Sequence, residues 1–365
     1  MKVGVINFFK APNYGAFLLA FAMKKKIEEL GGNCYFIDIQ KENKNKVSKI
    51  SLFCHYFAIM KVIVKMVFSG KFINLIKSIK YKNNKEQSFN KFQKLLECDK
   101  IKDNNFDLVI VGSDEVFNII GYTNFDLIKW LNKNKNCFKK LISYAASCGS
   151  ATFEKIKEYN FENKMYQFLL NFNTISVRDQ NTFDIVKKLT TLKSYIHVDP
   201  VLFFDFKDYL NPNFKEKNYI LLYSFQYKIT KYEKNEIIKF AKQNNKKIIS
   251  IGCYYDWCDK AILPKKPFEV LDYFKNADYV ISDTFHGIVF SIKYNKNFCA
   301  LIRSNNNNKL NYLLKQFNLE YRKAEIGQDI PIILGKESDY LEINQFINKE
   351  TKKSVDYLSN FIKLN

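Results

Sequence analysis

The chain has 365 residues, 47% hydrophobic and 26% charged, which suits two globular domains with separate cores and excludes a disordered chain. Its formal charge of +21 is dispersed as lysine and favours anionic partners, a phosphate-bearing substrate or an anionic membrane surface; without arginine clusters or a recognisable motif, no nucleic acid is expected. Eight cysteines at irregular spacing form no Cys-x-x-Cys, and with only three histidines a zinc site is not expected; reduced, buried thiols are.

No signal-peptide pattern precedes the first strand, Val3 to Phe8, which predicts a cytoplasmic chain. Ala11 to Gly15 supply loop residues, and Ala16 to Leu30 has helical spacing that Gly31-Gly32 stops. Cys34 to Ile39 is a second strand, so the unit implies parallel strands and a right-handed crossover. Residues 41–100 differ: many lysines, few acids, and apolar stretches Ile50 to Phe68 and Phe72 to Ile79 that lysines interrupt. Neither stretch can span a bilayer. Two helices packed on the first domain are expected, the alternative being a basic amphipathic surface resting on anionic lipid.

The α/β pattern resumes with strands Phe106 to Val111, Leu141 to Ala146 and Thr174 to Val177, and His197-Val198-Asp199-Pro200 closes the first domain. A second unit runs through strand Tyr219 to Ser224, helix Lys231 to Asn244, strand Lys247 to Ile251, a short helix Pro267 to Asn276, strand Tyr279 to Ser282, helix Gly287 to Tyr294 and strand Phe298 to Ile302. Leu310 to Phe317 and Ile343 to Leu364 read as helices. The expected domains are 1–205, with the insertion at about 41–100, and 206–335, followed by a helix in 336–365 that braces both.

Two doubly wound units bind ligands beyond the carboxyl ends of their strands, so polar residues there are the candidates. Ser282-Asp283-Thr284-Phe285-His286-Gly287 joins a strand to a helix. Ser282 or Thr284 can cap that helix, leaving N–H groups for an anion, while Gly287 permits close approach. The bland reading is a cap beside an incidental histidine. Arg178-Asp179 offers a planar partner for carboxylate or phosphate, or else a surface ion pair of little consequence. Arg303 is a second cation at an equivalent strand end. Ser113 and Asp114 end another strand, where Asp114 can orient a sugar hydroxyl, act as a base, or merely cap a helix. Asn13-Tyr14-Gly15-Ala16 forms the first strand-to-helix loop, and without G-x-G-x-x-G it disfavours NAD or FAD.

In their order, Asn13-Tyr14-Gly15-Ala16, Val111-Gly112-Ser113-Asp114, Ile142-Ser143-Tyr144-Ala145-Ala146-Ser147, Ser176-Val177-Arg178-Asp179, Asp199-Pro200 and Asp278 through Gly287 resemble the polysaccharide pyruvyl transferase family. The resemblance covers about residues 1 to 325 apart from the lysine-rich segment. It implies an α/β, GT-B-like fold of two Rossmann-like domains facing across a cleft. The implied reaction moves pyruvate from phosphoenolpyruvate to two hydroxyls of one sugar of a cell-surface glycan or its precursor, lipid-linked or nucleotide-linked, with no cofactor. Arg178 and His286 fall where phosphoenolpyruvate is gripped, and Asp283 is a further catalytic candidate. Asn13, Tyr14, Gly15, Ser113, Asp114, Asp179, Ser282, Gly287 and Arg303 are the substrate-binding candidates. Two positions depart from the family pattern, Phe117 in place of Trp and Leu19 in place of Gln. Two other readings compete: a GT-B glycosyltransferase using a nucleotide sugar, and a membrane-surface scaffold of a polysaccharide assembly complex.

Overall fold

The computed structural model describes residues 1–39, 72–96, 105–120, 124–224, 229–304, 306–325 and 330–362; the stretch Ile50 to Phe68, with Cys54 and Cys98, lies outside them. Among the described residues, β1 (Lys2–Ile6), β2 (Asn33–Phe36), β3 (Phe106–Val111) and β4 (Phe138–Ser143) form a parallel sheet in the order β2-β1-β3-β4. A parallel pair, β5 (Ile175–Val177) and β6 (Ser194–Ile196), continues it through bridges from Ile142 to Thr174 and from Ala146 to Val177. The second sheet contains β7 (Tyr219–Tyr223), β8 (Lys247–Ile251), β9 (Lys260–Ile262), β10 (Tyr279–Ser282), β11 (Asn297–Leu301) and β12 (Lys323–Ala324). Its order is β12-β11-β10-β7-β8-β9, with every pairing parallel. The central strands β3 and β7, FDLVIV and YILLY, are apolar almost throughout because helices cover both faces.

Each half has a core of its own, around Val109 and Phe117 in the first and around Ile220 and Ile281 in the second, and a further cluster joins them. One apolar cluster takes in Val3, Phe17 and Phe21 of the first half together with Leu221, Phe274 and Ile288 of the second. The contact is aromatic: the Phe268 ring lies 4.8 Å from Phe21 and 6.1 Å from Phe17 of the Tyr14–Glu29 helix, edge to face in both cases. The abundance of Phe is therefore used to weld the halves.

The final helix, Tyr340–Ile362, is bonded to both halves. Tyr357 Oη donates to the Ser143 carbonyl at the end of β4 (3.0 Å), the Tyr340 hydroxyl donates to the Lys296 carbonyl before β11, and Phe346 packs on Phe317.

The lysine-rich segment contributes one long helix, Phe72–Phe92, which continues well past the apolar stretch Phe72 to Ile79. The apolar residues that suggested it, Ile73, Ile76 and Ile79, are exposed at 65%, 49% and 50%. Tyr81, Lys85 and Phe89, spaced i, i+4, i+8, face inward. Tyr81 Oη donates to the Ile262 carbonyl (2.7 Å) and accepts from Gly252 N–H (3.1 Å), while Phe89 lies 4.8 Å from Tyr14. The helix thus touches both halves rather than the first alone. Among the described residues, no helix is long and apolar enough to cross a membrane.

Candidate functional site

The loop after β10 is built by its hydroxyls. Ser282 Oγ donates to the Tyr223 carbonyl (2.5 Å) and accepts from Thr284 N–H (3.1 Å), tying β10 to β7. Thr284 Oγ1 accepts from Gly287 N–H at 2.9 Å, capping the Phe285–Lys293 helix. That helix begins its backbone ladder at Ile288, so the N–H groups of Phe285 and His286 have no intrahelical partner and give the helix start a positive end. Gly287 is required by space: a Cβ there would sit 2.1 Å from Ser282 Oγ.

His286 leaves this helix and lies against the first half of the chain. A Cβ on Gly15 would stand 2.3 Å from His286 Cγ and Nδ1, so the imidazole occupies the place of a missing side chain. Gly15→Ala is expected to force the ring from this place and to cost about 1–3 kcal/mol of stability, as overpacking a close-packed interior does. Urea unfolding of the variant beside wild type checks it.

The ring meets a buried carboxylate. Asp199 Oδ2 lies 3.5 Å from His286 Nε2 and accepts from Arg178 Nη1 at 3.1 Å, while Oδ1 accepts from Val201 N–H at 3.0 Å. Arg178 Nη2 is 3.5 Å from Asp114 Oδ1, and its guanidinium stacks 4.0 Å from the Phe285 ring centre. Burial pushes the Asp199 carboxyl up, but the His286 ring, the Arg178 guanidinium and the Val201 N–H outweigh it and hold it below the usual carboxylate range. Burial likewise works against charge on Arg178, and Asp114, Asp199 and Asp179 overcome it, in that order. Arg178 Nε and Nη2 and His286 Nε2 are buried, with no hydrogen-bond partner among the described residues. These donors sit in a low-dielectric place with capacity for an anion.

A cavity of about 330 Å³ opens beside this triad. Its walls come from the first half (Phe8, Pro12, Asn13, Asp114, Glu115), the second half (Tyr223, Ser224, Gly252, Asp283 to His286, Asn306, Lys309) and Lys85 of the Phe72–Phe92 helix. Of the residues singled out from sequence, Asn13, Asp114, Asp283 and His286 line it. Arg178 and Asp179 do not; they border a small neighbouring cavity, with Phe285 and Lys309 as shared walls. Asp179 is no surface partner of Arg178. Its Oδ1 accepts from Thr182 N–H (2.8 Å), capping the Gln180–Leu189 helix, and its Oδ2 accepts from Ser147 Oγ (2.6 Å).

The remaining candidates act on the wall rather than in the cavity. Asn13 Oδ1 also caps the first helix through Gly15 N–H (2.8 Å). Tyr14 is fully buried against Phe89, and Ser113 is fully buried as well. Arg303 is held by Glu233 through two bonds, of 2.6 and 3.0 Å, with its Nε 3.8 Å from Asp283 Oδ2. It therefore places positive charge beside Asp283 without a hydrogen bond to it. Asn306 finishes that wall, donating to the Asp283 carbonyl and accepting from Arg303 N–H.

Sequence reasoning missed Asp199, Lys85, Lys309, Glu115 and Glu233 as parts of the site. Only Asp199 carried a local signal, a capping Asp before a Pro at the first helical position. The others depend on long-range contacts: the Lys309 ammonium is paired with Glu115 across the two halves. His197 is structural. Its Nδ1 shares a hydrogen bond with Ser176 Oγ (2.8 Å), and burial pushes it down to about 4. Among the described residues, no three His, Cys, Asp or Glu side chains gather to hold a metal ion.

Comparison with known proteins bears on both fold and family. The chain is similar over 100% of its length to UGT89C1 from Arabidopsis thaliana complexed with quercetin (99% of that chain, TM-score 0.51, 10% identity). It is similar to the same extent to S. aureus MnaA with UDP (97% of that chain, TM-score 0.51, 12% identity). Identities this low carry the fold alone, and that fold is the expected α/β, GT-B-like arrangement of two parallel sheets. No curated protein sequence matches the chain. The profile of the family described as polysaccharide pyruvyl transferase matches residues 13–305, from the loop that packs on His286 to just beyond Arg303. With most of its length inside that match, the chain belongs to the polysaccharide pyruvyl transferase family.

Proposed function

We propose that the chain transfers pyruvate from phosphoenolpyruvate to two hydroxyls of one sugar, in a cell-surface glycan or its lipid- or nucleotide-linked precursor, forming a cyclic ketal and releasing phosphate. One observation carries the reading: Arg178 from the first half and His286 from the second meet on Asp199, with buried guanidinium N–H donors to spare, beside a cavity walled by both halves. Phosphoenolpyruvate carries a carboxylate and a phosphate on the same carbon, so its pocket needs fixed cations and N–H donors.

In this reading the phosphate meets His286 and the free N–H groups of the helix start. Arg178, stacked on the far side of the Phe285 wall, supplies the second positive charge, with Nε making no hydrogen bond inside the protein. A proton from His286 goes to the methylene carbon, which becomes the ketal methyl, and positive charge develops on the adjacent carbon. A sugar hydroxyl adds there and loses its proton. Phosphate then leaves with its bonding pair, and the second hydroxyl closes the ring as its proton passes to a base. Asp283, beside Arg303, and Asp114 are the carboxylates on the cavity wall for that duty.

Phosphoenolpyruvate at 100 times its dissociation constant is expected to stabilise the protein by about 2.7 kcal/mol, a rise of a few degrees in Tm, with UDP and GDP giving none. Stabilisation by UDP or GDP alone would replace this reading with glycosyl transfer from a nucleotide sugar.

A further inference from the structure

We infer that Lys85, on the Phe72–Phe92 helix, binds a negatively charged oxygen of phosphoenolpyruvate, so that the lysine-rich insertion supplies part of the substrate pocket. The inference rests on the pyruvyl transfer reading for the identity of the anion and on geometry for the residue.

Five lysines lie on this helix. Lys77, Lys80, Lys82 and Lys91 are exposed, as a lysine-rich composition would give anywhere; Lys85 is turned inward. Its ammonium donates to the Gly252 carbonyl at 3.0 Å and stands 5.8 Å from the centre of the Tyr14 ring, on the wall of the cavity. An ammonium has three donors, and a single carbonyl engages one of them. No carboxylate among the described residues lies within ion-pairing distance of it.

Lys309, the other lysine of the cavity, is neutralised by Glu115. Lys85 therefore brings positive charge to the pocket that no neighbouring acid cancels. Burial works against that charge and pulls its pKa down, with only weaker opposition from Cys253 and Glu86. A cation held this way is costly in the empty protein, and an anionic ligand removes the cost. Tyr81, one turn earlier, fixes the helix through both of its hydrogen bonds to the second sheet, so the ammonium is held in place before substrate arrives.

The test is calorimetric titration of the full chain with phosphoenolpyruvate, and separately with inorganic phosphate, for wild type, Lys85→Met and Lys85→Arg. Lys85→Met is expected to weaken phosphoenolpyruvate binding by about tenfold or more, the worth of a hydrogen bond to a charged group, while Lys85→Arg stays within about threefold of wild type. The Met variant is expected to melt no lower than wild type, since it removes a buried charge. Equal phosphoenolpyruvate affinity in Lys85→Met and wild type would overturn the assignment and leave pyruvyl transfer standing. If wild type does not bind phosphoenolpyruvate, the pyruvyl transfer reading fails instead. Lys85 is then judged on phosphate: binding that is lost in Lys85→Met keeps it as an anion site, and phosphate binding that is equal or absent overturns it.

Discussion

Asp199→Asn is expected to reduce turnover by about 100-fold or more and to destabilise the fold by about 3–5 kcal/mol. The side chain keeps its shape, so the loss comes from charge. Arg178 would remain buried with Asp114 as its nearest carboxylate, at 3.5 Å, and the ring of His286 would lose the group it faces. The pH dependence carries a signature. The Asp199 carboxyl titrates below its unfolded value, so its stabilisation is fully present above the unfolded pKa of about 4 and is lost as pH falls through the lower folded value. Denaturant melts of both proteins should differ most near pH 7 and converge as the pH drops below about 4. A constant difference across that range would mean that Asp199 is not held ionised in the folded protein.

The second large effect is structural and lies away from the cavity. Arg322 is completely buried beneath the second sheet, where it donates to Ser338 Oγ (2.6 and 3.0 Å), the Ile333 carbonyl (3.1 Å) and Asn297 Oδ1 (2.9 Å). It fastens the start of β11 to the Ile330–Gly335 helix and to Ser338, two residues ahead of the final helix. Arg322→Met fills much of the volume but strands the Ile333 and Asn297 acceptors, at about 1–3 kcal/mol each. A loss of about 3 kcal/mol or more in urea unfolding is expected, with the catalytic rate per folded molecule unchanged. A loss below about 1 kcal/mol would show that water or a neighbour replaces the arginine.

How much of this was legible in the sequence followed the range of the interactions. β1, β3, β7, β8 and β10 are short apolar runs with polar residues at their ends, and periodicity finds such strands to within a residue or two. The strand expected at Leu141 to Ala146 instead runs Phe138–Ser143, because Phe138 and Lys140 pair with Phe106 and Leu108 of β3, while Ala146 bridges to Val177 of β5. β6, β9 and β12 are three residues or fewer, and only their neighbours make them strands. Thr284 as a cap and Gly287 as a close approach could be read locally. That Gly15 makes room for His286 could not, because those residues are 271 positions apart and meet only after both halves fold.

The lysine-rich helix misled most. Its isoleucines suggested the buried face, and they are exposed. The face that packs is set by Tyr81, Lys85 and Phe89, of which one is charged and one carries a hydroxyl. The two departures from the family pattern, Leu19 and Phe117, are both buried: Leu19 in the core the halves share, Phe117 in a separate core on the first half, beside Phe168 and Phe172. Neither of them lines the cavity.

The most direct measurement is mass spectrometry of a panel of sugar acceptors incubated with phosphoenolpyruvate and wild-type protein, alongside Arg178→Met and His286→Ala. The account predicts one acceptor that gains the mass of pyruvate less one water, with phosphate released in equal amount and product formation lost in both variants. The same product formed at wild-type rate by His286→Ala and Arg178→Met, or a gain of a hexose from a nucleotide sugar in its place, would contradict it.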